Sequence, residues 1–86
     1  MTTIALPKIN LNGTSKRELL EQQITALNAI NAAIDALCAA APNGRDYQTL
    51  PSGAVQLALS EHQARLKLLH AVQDELQTIA MHISDS

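Results

Sequence analysis

From Leu20 onward, apolar residues return at three- and four-residue steps: Leu20, Ile24, Leu27, Ile30, Ile34, Leu37, Cys38 and Ala41. These positions share one broad stripe of an amphipathic helix. Ser15 followed three residues later by Glu18 is a capping-box start, with Thr14 as the competing cap. Pro42 stops the run, so the spacing predicts a first helix over about 15–41. A second series, Val55, Leu59, His62, Leu66, Leu69, Gln73, Leu76, Ala80 and Ile83, alternates four- and three-residue steps without a break. That heptad pattern predicts a second helix over about 54–83, capped by Ser52. Val72 and Ile79 widen its stripe, while Leu57 and Leu68 sit off it.

Turn-forming clusters punctuate the chain at 11–15, 41–44 and 50–53, each with Gly or Pro. Before the first of them, Ile4, Leu6, Ile9 and Leu11 form alternating pairs around Pro7. This reads as an extended arm, residues 1–13, lying over the helices, since Pro7 opposes a central strand. Residues 14–86 then form the hairpin, with a loop at 42–53. The expected fold is all-α: an antiparallel two-helix hairpin with an extended N-terminal arm. Pairing Ala41 with Val55 sets the expected register. It places Leu20 opposite Leu76, Leu27 opposite Leu69, Ile34 opposite His62 and Gln23 near Gln73.

Composition makes this hairpin a poor monomer. Of forty apolar residues fourteen are Ala, and Trp and Phe are absent, so the Leu and Ile residues must supply most of the buried area. A small chain has a thin core in any case. Each stripe is wider than one neighbour can cover, so dimerisation into a four-helix bundle is expected. Its oligomer seam would comprise Leu20, Ile24, Leu27, Ile34, His62, Leu66, Leu69 and Leu76.

Charge and candidate chemistry narrow the function classes. A net charge of −2 with dispersed basic residues is a weak footprint for nucleic acid, although Lys8, Lys16 and Arg17 cluster near the arm. No apolar run approaches the ~20 residues of a membrane span, and the N-terminus lacks the features of a signal peptide. A single cysteine fits a reducing compartment, so a cytoplasmic setting is expected. Cys38 reads as a small core residue rather than a reactive thiol. His62, His70 and His82 lack the i,i+3 or i,i+4 spacing of a helical metal pair; His62 reads as a seam residue, His70 and His82 as solvated. No nucleophile elbow or phosphate-binding loop is present, so neither enzymatic activity nor a cofactor or metal is expected.

Polar residues on the stripes carry a different meaning. Asn31 and Gln73 read as register-specifying amides, whereas Asn28 reads as exposed at the stripe edge. The loop places Arg45, Asp46 and Tyr47 together, and Tyr and Arg are favoured anchors at protein interfaces. Two roles stay open for it. The loop is a recognition epitope, or Tyr47 and Leu50 fold back as a plug for the open end.

The segments "INLNGTS" before the first helix and "AAAPNGRDY" between the two resemble small helical proteins encoded in bacteriophages and prophages. The resemblance implies a bacterial cytoplasmic setting and an accessory, non-enzymatic role, and it carries no functional residue with it. Secreted WXG hairpins fit less well, because they carry Trp-x-Gly in the turn. The expected function is a protein-binding module, a phage accessory factor that binds and modulates a bacterial host protein through Arg45, Asp46 and Tyr47. A small structural component forming homo-oligomers is the alternative, and a nucleic-acid-binding regulator is a third.

Overall fold

The computed structural model describes residues 3–86. Two helices, α1 (Lys16–Ala39) and α2 (Ala54–Ser84), pack against each other and are joined through one 3-10 turn, Gly44–Tyr47. No strand occurs among the described residues. The segment ahead of α1 runs without regular structure, with Ile4, Pro7 and Ile9 half-buried; residues 1 and 2 of the expected arm lie outside the described residues.

Local chemistry sets the helix ends. The Ser15 hydroxyl accepts the Glu18 amide at 3.2 Å, which satisfies one of the free N–H groups at the start of α1. At the other end α1 winds down earlier than 41. The Ala40 and Ala41 amides bond to the Leu37 and Cys38 carbonyls, tightening the last turn. Pro42 disfavours a helical Ala41, so the helix is already loosening ahead of it. The start of α2 corrects the expected Ser52 cap. Gly53 occupies the cap position with φ 93°, a left-handed conformation that glycine adopts without strain, and no side chain caps the helix. Replacing Ser15 with alanine should cost about 1 kcal/mol in a urea titration, with Ser15→Asp retaining most of the stability. Equal losses for both variants would remove the cap from this account.

The two ends of the hairpin are unequal. Lys16 Nζ donates to the Ser86 carbonyl at 2.8 Å, so the start of α1 is level with the end of α2. Because α2 has 31 residues and α1 has 24, the surplus falls at the tip. The first turns of α2 therefore overhang α1, and the 3-10 turn packs against them. This explains a connection much longer than a tight turn needs: it covers the overhang.

The same offset overturns the expected register. Gln73 Nε2 donates to Asn31 Oδ1 at 2.6 Å, and Asn31 lies eight positions, about two turns, beyond the expected partner Gln23. Gln23 Oε1 is left buried without a partner. Local pattern allows several registers that keep apolar faces together; the level of the closed end selects one of them.

Little of the molecule is interior. The only buried residues among those described are Ile34, His62 and Ile83. The radius of gyration is 18.4 Å, against about 12 Å for a compact domain of this length. A single layer of two helices has a seam and no enclosed core.

Candidate functional site

Asn43 organises the tip. Its side-chain oxygen accepts the Arg45 amide at 2.9 Å, and its carbonyl accepts the Asp46 amide at 3.0 Å, closing the 3-10 turn. Short polar side chains favour such local bonds over helix continuation. Arg45 Nε also reaches Asn43 Oδ1 at 3.4 Å, which draws the guanidinium stem back over the turn. Arg45 and Asp46 are exposed, while Tyr47 is half-buried. Leu50, the other residue expected to fold back as a plug, is 50% exposed. The three residues remain together on a folded turn, with the two charged residues exposed and Tyr47 half-buried.

The seam runs along the helices behind this tip. Ile34 and His62 are buried, and Leu20, Leu27, Leu66, Leu69 and Leu76 are half-buried, within one chain. Ile24 departs from them at 46% exposure, and Leu59 at 40%. Cys38 is exposed, which corrects its reading as a core residue. For Ile24 and Cys38 the expected stripe was broader than the strip of α1 that α2 covers. The covered face of α1 turns toward Leu19, Ala26 and Leu37, all half-buried, and leaves Ile24 and Cys38 outside.

Two polar arrangements stand apart from the tip. On one flank, His70 Nδ1 donates to Gln73 Oε1 at 3.2 Å, and Gln73 passes the chain on to Asn31. The His70 contact lies within α2 and orients the Gln73 amide, and the Gln73–Asn31 bond is the one that crosses the hairpin and marks its register. At the closed end, His82 Nε2 donates to the Pro7 carbonyl at 2.8 Å and ties the arm to α2. His82 was expected in solvent; no local periodicity signals a bond between residues 75 positions apart. Glu61 and Arg65, four residues apart on α2, form no ion pair among the described residues. The only one among the described residues is Arg17–Glu21, whose side chains are 88% and 62% exposed, and such pairs contribute little.

No three His, Cys, Asp or Glu residues converge as a metal site among the described residues. A shallow groove lined by Glu18, Glu21, Gln22 and Thr25 lies along one helix alone. No helix of the described chain is long and apolar enough to cross a membrane. The chain matches no family model, no characterised protein and no solved structure. Function is therefore read from geometry. What the geometry offers is surface: a charged tip folded around Asn43, and helix flanks bearing exposed Leu57 and Leu68.

Proposed function

We propose that this protein is a non-enzymatic binding module, a helical hairpin that self-associates and presents its tip to a protein target. One observation carries the reading. The chain exposes 6512 Å², against about 4,900 Å² for a typical monomer of its 9.2 kDa mass, an excess of about 1,600 Å². A standard interface takes about 800 Å² from each partner, so the surplus is enough for more than one contact. The tip suits a target because Arg45 and Asp46 are exposed on a turn held by Asn43, so little conformational freedom is lost on binding. The resemblance to phage-encoded proteins supports a bacterial host protein as the target and the bacterial cytoplasm as the setting.

Arg45→Ala and Asp46→Ala test the tip without touching the seam. Each should leave thermal stability within about 0.5 kcal/mol of the parent, as exposed substitutions do. Together they should abolish co-purification of the target from the bacterial host. Undiminished capture by the double variant would move the contact to the helices.

A structural component is favoured by a different feature. Ile24, Leu59 and Met81 are 46%, 40% and 65% exposed on positions away from the Leu57 flank, so a second contact could extend the assembly. Sedimentation equilibrium separates the two: a closed dimer supports the binding module, and growth with concentration supports the scaffold.

A further inference from the structure

The flank of α2 has a chemical order of its own. At about 100° per residue, Leu57, Glu61, Ala64, Leu68 and Val72 fall about 80–160° to one side of the seam centred on His62. Arg65 lies between that band and the seam. Leu57 is 63% exposed, Leu68 68% and Val72 42%, and Glu61, Ala64 and Arg65 are also exposed. The opposite side of the helix at these levels carries Gln56, Gln63, Lys67, His70 and Asp74. An apolar strip with a polar counterpart is the mark of a contact surface rather than of scattered surface leucines.

We propose that this strip docks a second copy of the same chain, α2 against α2 in antiparallel sense, with the two-fold axis beside residues 62–64. The inference rests on the self-association proposed above and assigns its surface. Its basis is that the strip is complementary to itself. Reversing the helix about that axis brings Leu57 onto the partner's Leu68 and Glu61 onto the partner's Arg65. It also brings Val72 onto the partner's Ala54. A two-fold operation then makes every one of these contacts twice. Ala64 lies next to the axis, where a small side chain lets the helices approach closely. Glu61 and Arg65 are spaced to pair with each other on one helix, yet among the described residues neither takes part in an ion pair. Both charges are available to a neighbour, and the order acid-then-base along the strip selects an antiparallel one. A parallel neighbour in register would set Glu61 against Glu61 and Arg65 against Arg65. The surface available also suits a second copy, since an excess of about 1,600 Å² per chain exceeds the roughly 800 Å² each partner contributes to a stable interface.

The test is a charge swap read by sedimentation equilibrium on the full chain. Arg65→Glu alone places like charges opposite each other on both sides of the axis and should raise the dimer dissociation constant about tenfold or more. Adding Glu61→Arg restores opposite charges and should bring the constant back toward that of the parent. Leu68→Gln, at a site exposed in the hairpin, should weaken the dimer while helicity measured on the monomer stays unchanged. A dimer indifferent to all three variants overturns this surface but leaves self-association standing. A chain that stays monomeric at every concentration overturns both.

Discussion

Ile83→Ala should lower the unfolding free energy by about 2–5 kcal/mol, the range for removing a buried isoleucine side chain to alanine. Ile83 is 0% exposed, the only large side chain among the described residues so completely enclosed, although it is the penultimate residue of α2. Its position explains this. At that level the arm reaches α2 through the His82–Pro7 bond, and the start of α1 reaches it through the Lys16–Ser86 bond. Three segments meet there, while the rest of the hairpin has two. For a chain of this size a loss of 2 kcal/mol lowers Tm by roughly 8 °C or more. The arm should loosen as well, visible as faster amide exchange at Ile4 to Ile9. Ile34→Ala is the matched comparison: at 8% exposure in the two-helix seam it should cost less and leave the arm attached. Equal losses at the two sites, with unchanged exchange in the arm, would mean that the closed end is no better packed than the seam.

The second large effect should have the opposite sign. His62 is 4% exposed and its Nε2 has no hydrogen-bond partner. A buried polar group left without a partner costs about 1–3 kcal/mol, so His62→Leu should stabilise the hairpin by an amount within that range. The packed volume is nearly conserved, which keeps the cavity and strain contributions small. Gln23 Oε1 is in the same condition, and Gln23→Leu should act in the same direction. Because the two sites lie far apart along the hairpin, their effects should add. Urea titrations at constant protein concentration measure this. A loss of stability in His62→Leu would show that the imidazole is bonded in the assembled protein, and would direct attention to the dimer for its partner.

Both outcomes trace back to features that differ in how visible they are in the chain. The α2 seam was legible residue by residue: Val55, His62, Leu66, Leu69, Gln73, Leu76, Ala80 and Ile83 are all covered, and only Leu59 departs from the series. Ser15 as the first cap was equally legible, because its partner Glu18 is three residues away. The stripe on α1 was read too wide, since alanine is compatible with either side of it. Which arc is covered depends on where α2 lies, and Ile24 and Cys38 ended outside. At the tip, proximity in sequence was enough to bring Arg45, Asp46 and Tyr47 together. Their exposure differs because the turn lies on the overhanging end of α2, which no local signal announces.

What the sequence by itself determined is the set of elements: two helices of unequal length, a proline- and glycine-bounded connection, and an arm that cannot join a central strand. These follow from periodicity, capping and backbone restriction, all of which act within a few residues. What only the tertiary structure decided is the level at which those elements meet. The closed end at Lys16 and Ser86 set the register, replaced the expected Gln23–Gln73 pair by Asn31–Gln73, and left Gln23 without a partner. It also enclosed Ile83 and brought His82 onto Pro7. A repeat of three and four residues fixes which face of a helix turns inward. It leaves the helix free to slide along its partner, and contacts between distant segments settle where it stops.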